Sequence, residues 1–384
     1  MRRTLIVADT HLTRHTPVAV SRDLAALVAS HPGARLIVAG DLFDRSAEPR
    51  PAPSVDEVLR AHGALRKALG EHLGRGGELW LVAGNHDAEV ADGDFQGTLL
   101  SALELPGEAR ARLRTTPWLL REGGLHVEHG HLYDPDNAPA HPLVRGVPSL
   151  GVRFVHDFIA PTGAYAYLNR NDKLPLELFV EAFTRYGSRG PFVVATFFRA
   201  AFAALRTSGP FFQGKLERAR GEAELAAFAE LAGVDPKTLR GLCGSAPDPT
   251  LTSFRATFSR LYLDRVAATM ALLAGGGLVF SGRRRAALAA FVLGAVARLA
   301  SWSRDYDRYG GLVPPRLAEG ARLVAEVTGA RAVVFGHAHK PEVSGVYSNP
   351  GSFAFPVGPE RTYLEIEGTV DAPVPTLRRA RQEY

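Results

Sequence analysis

Five short segments of this chain combine carboxylate, imidazole and amide side chains at spacings suited to metal coordination. They are Asp9-Thr10-His11, Gly40-Asp41-Leu42-Phe43-Asp44, Gly84-Asn85-His86-Asp87, His129-Gly130-His131 and Gly336-His337-Ala338-His339. Holding two divalent cations about 3.5–4 Å apart takes imidazoles, carboxylates and at least one oxygen able to bridge, with positions left open for water and substrate. Asp41 is the natural bridge, and the five segments together present seven good metal ligands. A glycine before Asp41, Asn85 and His337 lets the backbone turn and removes a side chain where a ligand must approach. Taken singly each segment is ordinary, since an Asp-x-His is usually a surface turn.

The elements that must position these residues are legible as well. Leu5-Ile6-Val7-Ala8, Leu36-Ile37-Val38-Ala39, Leu81-Val82-Ala83, Leu125-His126-Val127-Glu128 and Ala332-Val333-Val334-Phe335 each run directly into one of the five segments. Short apolar runs that end abruptly in polar residues read as buried strands. Open α/β sheets build their sites at the carboxyl ends of such strands.

At these residues the chain resembles the calcineurin-like metallophosphoesterase superfamily, whose signature D-x-H, G-D-x-x-D, G-N-H-[DE], H and G-H-x-H is matched in order. The resemblance implies an α/β (α+β) fold of four layers, a β-sandwich flanked by helices. It implies one ion held by Asp9, His11, Asp41 and His339, and a second held by Asp41, Asn85, His129 and His337. His86 would contact the phosphate or protonate the leaving group. Asp44, Asp87 and His131 are candidates for orienting ligand imidazoles, with ordinary loop polarity as the alternative. Manganese suits the mixed ligands best, with iron or zinc as alternatives.

The remainder bounds the organisation. With 384 residues and 46% apolar content the chain can bury a large core. A single cysteine, Cys243, rules out an intramolecular disulfide and fits a reducing compartment. The first strand begins right after Met1-Arg2-Arg3, leaving no room for a cleavable leader, so the catalytic part is expected in the cytoplasm, at the inner face of a membrane. Residues 17–30 and 56–73 read as helices, the second capped by Ser54, and the proline-dense 46–54 as an extended loop. Residues 99–105 read as helical, 118–120 as a strand, and 314–328 as an amphipathic helix. Short β-like runs follow at 343–347, 352–355 and 362–367.

Between His129 and His337 lie 207 residues, too many for a loop. The catalytic core is therefore expected at 1–140 and 311–370, a large all-α insertion at 141–310, and a mobile Pro- and Arg-rich tail at 371–384. The insertion carries 22 Lys and Arg against 13 Asp and Glu, a formal charge of +9 against −4 for everything else. It also holds apolar helical runs at 192–205, 225–231, 266–280 and 286–302. In the last, Leu288, Phe291, Val292, Ala295, Val296, Leu299 and Trp302 form one stripe, and Arg283-Arg284-Arg285 separates it from the run before. Three readings compete: a cap packed on itself, a lid or membrane-facing surface that accepts anionic lipid, and a transmembrane hairpin.

Within the superfamily the chain is similar to the UDP-2,3-diacylglucosamine pyrophosphatases, which also carry a helical insertion before the last motif. It also shares Gly-Asp-Leu-Phe-Asp and Gly-Asn-His-Asp with the nuclease subunits of recombination-repair complexes. The leading expectation is a dinuclear metal-dependent phosphoesterase cleaving a phosphodiester or pyrophosphate bond in an anionic, lipid-linked or nucleotide-lipid substrate, peripherally associated with a membrane. A DNA-repair-type nuclease is an alternative, less favoured because the basic residues interleave with apolar helices and not with exposed aromatics. An inactive metal-scaffold or interaction protein is another.

Overall fold

The computed structural model describes residues 2–48, 51–164, 175–304 and 312–380. Along the chain come β1 (Thr4–Val7), α1 (Val18–Ala29), β2 (Arg35–Ala39), α2 (Val55–Ala61), α3 (Gly63–Gly74), β3 (Glu78–Val82), α4 (Phe95–Ala102), β4 (Leu113–Thr116), β5 (Leu119–Glu122) and β6 (Leu125–Glu128). A helical stretch follows: α5 (Leu150–Phe154), α6 (Ala160–Thr162), α7 (Pro175–Tyr186), α8 (Gly190–Arg206), α9 (Gly214–Ala232), α10 (Pro236–Ser245), α11 (Phe254–Arg260), α12 (Leu263–Phe280), α13 (Arg284–Arg304) and α14 (Val313–Thr328). The chain closes with β7 (Ala332–Phe335), β8 (Glu342–Ser344), β9 (Tyr347–Asn349), β10 (Thr362–Gly368) and β11 (Pro373–Arg379).

Two sheets form, in the orders β11-β10-β1-β2-β3-β4 and β5-β6-β7-β9-β8. Strands β1 to β4 are mutually parallel, as are β6, β7 and β9. Because side chains alternate along a strand, each strand supplies two faces. Ile6, Ile37 and Val82 of the first sheet meet Leu120, Val127 and Val334 of the second in the inner core. Leu5, Val7, Leu36, Val38, Leu79 and Leu81 face outward onto α1, α3 and α4. The outer face of the second sheet, with Val333, Phe335 and Tyr347, is covered by Leu317 and Val324 of α14, Leu225 and Phe228 of α9, and Leu239 and Leu242 of α10. The result is a four-layer α/β sandwich with an extra helical region.

The described chain separates into two compact units: Met1–Val152 with Gln213–Pro249 and Val313–Tyr384, and Arg153–Phe212 with Thr250–Leu312. Packing therefore departs from the span 141–310 drawn from composition. Helices α9 and α10 belong with the sandwich, because the apolar outer face of the second sheet needs more cover than α14 alone supplies. Cys243 of α10 packs in this layer, where burial pushes its thiol up to about 12.

The expected tail is also corrected: Pro373–Arg379 is a strand, antiparallel to β10. As an edge strand it tolerates Pro373 and Pro375, and Arg378 pairs with Glu365 and Glu367 on its neighbour. Residues 381–384 lie outside the described chain. The single helix expected over 56–73 is two, divided at His62, whose ring nitrogens engage Ser21 Oγ at 2.9 Å and the Thr13 carbonyl at 2.7 Å. Ser54 caps α2 in a reciprocal capping box with Glu57. No strand forms at 352–355, although Phe353 is fully buried. The expected strand near 118–120 begins at Leu119, and Trp118 before it donates its indole N–H to Glu128.

Candidate metal centre

The carboxyl ends of five strands converge. β1 delivers Asp9 and His11, β2 delivers Asp41 and Asp44, β3 delivers Asn85, His86 and Asp87, β6 delivers His129 and His131, and β7 delivers His337 and His339. The backbone turns sharply there. Among the described residues seven non-glycines have positive φ, and five of them are Asp9, His11, Asp41, His337 and His339. Such conformations cost free energy and persist only where surrounding structure enforces them, which is characteristic of functional sites.

The glycines before the ligands serve close approach. A Cβ on Gly84 would lie 2.0 Å from Asp41 Oδ1, and one on Gly40, at φ +87°, 2.3 Å from His129 Nδ1. A Cβ on Gly336 would crowd Ala8 and Asp9 at 2.7 and 2.8 Å.

Among the described residues three groups of ligand atoms lie within metal-binding reach: Asp9, His11 and His339; Asp9, Asp41 and His129; and His11, Asp41 and His86. Asp41 Oδ2 sits between two of the imidazoles, 3.1 Å from His129 Nε2 and 3.8 Å from His11 Nε2. His129 Nδ1 donates to the Ala39 carbonyl at 2.9 Å, which leaves Nε2 as its free lone pair, 3.0 Å from Asn85 Oδ1. Asp9 Oδ1 is buried without a hydrogen bond, 3.3 Å from His339 Nε2. A buried carboxylate oxygen without a donor is costly and fits a cation. The nitrogen and oxygen donor set also matches a borderline-to-hard divalent ion. His337 is placed differently from the others: its Nε2 turns to Asp134 Oδ2 at 2.9 Å, its backbone N–H donates to Asp9 Oδ2 at 3.0 Å, and Nδ1 remains for a ligand.

The surrounding polar residues divide by role. Asp44 holds two imidazoles, His86 through Nδ1 at 2.9 Å and His11 through Nδ1 at 3.3 Å. Burial opposes an imidazolium at His86, yet the Asp44 and Asp41 carboxylates outweigh it and push the group up to about 10. His86 also falls within one of the three groups of potential ligands, although its Nδ1 is taken by Asp44.

Asp87 touches no ligand imidazole. Its carboxylate accepts from the backbone N–H groups of Gly84, Leu42, Asp41 and Phe43, tying the ends of β2 and β3 together. Burial and the nearby Asp41 and Glu89 carboxylates push it up to about 7. His131 Nδ1 is buried without a partner, and burial beside His129 and His337 holds the ring well below the usual imidazole range.

Sequence reasoning passed over Asp134 and Asn137. Asp134 is buried, and despite that burial its bonds to His337 and Asn137 lower it to about 2. Asn137 donates to Asp134 Oδ2 at 2.8 Å and accepts from Asn85 Nδ2 at 3.3 Å, so one loop orients both His337 and Asn85. The only signal was a third acidic loop five residues beyond His129, within an Asp-Pro-Asp-Asn stretch that reads as a turn. Phe355 is a second omission, with ring centroids 5.6 Å from His339 and 5.5 Å from His11.

Arg283, just before α13, and Arg284 and Arg285, in its first turn, lie exposed in the other compact unit.

No curated protein matches the chain significantly. The family model for calcineurin-like phosphoesterases matches residues 2–188, which include four of the five strand ends; His337 and His339 lie beyond it. With the fold and the clustered donors, this match shows a calcineurin-like phosphoesterase domain over residues 2–188, and with it a metal-dependent phosphohydrolase.

Proposed function

We propose that the protein is a dinuclear, manganese-dependent hydrolase of a phosphodiester or pyrophosphate bond in a lipid-linked substrate, acting at the cytoplasmic face of a membrane. In this reading Asp9, His11, Asp41 and His339 hold one ion, and Asp41, Asn85, His129 and His337 the other. The observation that supports it is Asp41 Oδ2, 3.1 Å from His129 Nε2 and 3.8 Å from His11 Nε2, within reach of both imidazoles as a bridging oxygen would need to be. Such ions, when bound, would polarise phosphoryl oxygens and lower the pKa of a water that serves as the nucleophile.

The chain's own groups do the rest. Asp44 fixes His86 by Nδ1, so the charged ring presents its Nε2–H to the phosphate or the leaving oxygen. The hydroxyl of Ser46 donates to Asp44 Oδ1 at 2.7 Å and keeps that carboxylate oriented.

The lipid part of the proposal is supported by the second unit, where apolar side chains such as Leu273, Leu288 and Val292 are exposed beside the arginine cluster. Burying eight methylenes of an acyl chain at about 0.8 kcal/mol each contributes on the order of 6 kcal/mol before ordering costs, enough for the lipid to dominate specificity. The test is hydrolysis of a chromogenic phosphodiester with added manganese, followed by nucleotide-lipid pyrophosphate, DNA and phosphomonoester substrates. Turnover of lipid-linked pyrophosphates or diesters well above DNA is expected. Preference for DNA overturns the substrate assignment, and no turnover of any substrate with metal bound overturns the enzymatic one.

A further inference from the structure

The helices α12 and α13 form an antiparallel hairpin whose side chains are sorted the wrong way round for water. Residues 281–283 join them, and the seam is made of small residues: Ala268 and Gly275 on α12, Ala287 and Gly294 on α13, all buried. The backbones touch there. A Cβ on Gly294 would lie 2.8 Å from Leu272 Cγ and 3.0 Å from the Ala268 carbonyl, and one on Gly275 3.2 Å from the Phe291 ring. α12 runs unbroken through Gly275-Gly276-Gly277, of which Gly275 is the one packed at the seam.

Leu272 and Phe291 pack over the seam glycines, and most of the other large apolar groups point outward. Leu273, Leu288, Val292, Leu293 and Val296 are exposed, and Phe280 at the tip is 95% exposed. Apart from Phe291, whose ring packs on Gly275, the stripe expected on α13 is thus an outer face; the side chain of Trp302 lies outside the described residues. None of these side chains joins the cluster of Phe158, Ile159, Val193 and Ala200 at the centre of their own unit.

A helix pair in water buries its large apolar residues and exposes polar ones. Small residues at the seam and large ones outside is the arrangement of helices that meet in lipid. Charge follows the same logic. No charged residue occurs from Val266 to Gly282 or from Ala286 to Ala297. At the base, Ser301 Oγ donates to Asp264 Oδ2 at 2.8 Å and accepts from Arg265 Nε at 3.2 Å, so the polar groups there are mutually satisfied. At the tip, Arg283, Arg284 and Arg285 are exposed, and no acid among the described residues pairs with their side chains.

We propose that the α12–α13 hairpin is a bilayer-docking element, its uncharged outer surface sunk into the interface of an anionic phospholipid membrane and its three tip arginines bound to lipid phosphates. It lies in the interface and does not cross. Among the described residues α12 alone is, by length and composition, long and apolar enough to span. The uncharged part of α13 is only 12 residues, however, about 18 Å at 1.5 Å per residue against a hydrocarbon core of about 30 Å. An interfacial element needs an apolar depth of only about 5–10 Å together with flanking cations, and both are present.

This deepens the membrane-facing part of the proposed function, and its test reads lipid burial without reference to catalysis. In the full chain carrying Cys243→Ser, a single cysteine at Leu293→Cys or at the control Glu108→Cys is labelled with an environment-sensitive nitrobenzoxadiazole dye. Vesicles of phosphatidylcholine with 30% phosphatidylglycerol are then added, with and without nitroxide-labelled acyl chains. The Leu293 label should shift to the blue and be quenched by the acyl nitroxides, and the Glu108 label should do neither. Replacing Arg283, Arg284 and Arg285 together by Gln should weaken partitioning on the order of 100-fold at low salt, with an unchanged circular dichroism spectrum. An unshifted Leu293 label with vesicles present overturns the proposal. So does a shift that tracks protein concentration without vesicles, which would make the occupant a second copy of the chain. Lipid burial without turnover of any lipid-linked substrate would leave the docking element standing and remove the substrate assignment alone.

Discussion

Replacing Asp134 by Asn tests whether the loop after β6 tunes the metal centre. The carboxylate accepts from His337 Nε2 at 2.9 Å, which fixes the proton on Nε2 and leaves Nδ1 as the lone pair for a cation. The Asn amide has the same shape, and its Oδ1 can still accept from the backbone of Asp136 at 3.1 Å. Its NH₂ would face the imidazole as a donor, however, and His337 answers by moving its proton to Nδ1, the nitrogen needed for the ion. Asn137 Nδ2, now 2.8 Å from Asp134 Oδ2, loses its acceptor, and with it goes the restraint on Asn85. Lost partners of this kind lower metal affinity by about 10- to 100-fold, about 1.4–2.8 kcal/mol. The assay is calorimetric titration of chelator-treated protein with manganese. One of two binding events should weaken by that factor, while the event assigned to Asp9, His11 and His339 stays within about threefold. Two unchanged affinities would refute both the tautomer reasoning and the placement of His337 at the second ion.

Asp41→Asn should remove more bound metal and activity than Asp44→Asn, because Asp41 Oδ2 serves two imidazoles whereas Asp44 only orients them; elemental analysis with turnover decides it. His86→Ala should keep its metals and lose roughly 100-fold or more in rate, and loss of metal along with rate would make His86 a ligand. Gly84→Ala places a methyl 2.0 Å from Asp41 Oδ1, an overpacking that costs about 1–3 kcal/mol and should appear as a lower Tm together with weaker metal binding. His72 is buried with Nδ1 unpartnered, and burial holds it below the usual imidazole value. The unfolded chain therefore binds that proton more readily, so the stability His72 contributes is complete above about pH 6.5 and falls as pH drops below it. His72→Gln should accordingly lose less Tm between pH 7 and pH 5 than the parent protein.

What the sequence determined by itself is the set of strand ends and their order. A buried strand and the donor that follows it are adjacent in the chain, so Leu36-Ile37-Val38-Ala39 before Gly40-Asp41 declares both the element and the residue it delivers. The capping of α2 by Ser54 is legible for the same reason, being completed within three residues. Other features depended on contacts between distant segments. α9 and α10 lie inside the long helical stretch between β6 and β7, and only the uncovered outer face of the second sheet assigns them to the sandwich. The residues of β11 look like a loose tail until β10 offers an edge and Glu365 and Glu367 meet Arg378. Asp134 is a turn residue until His337, 203 positions further on, arrives beside it. The apolar stripe on α13 announced a helix but not what covers it, since periodicity fixes which residues share a face and only the close fit of Gly275 and Gly294 at the seam turned that face outward.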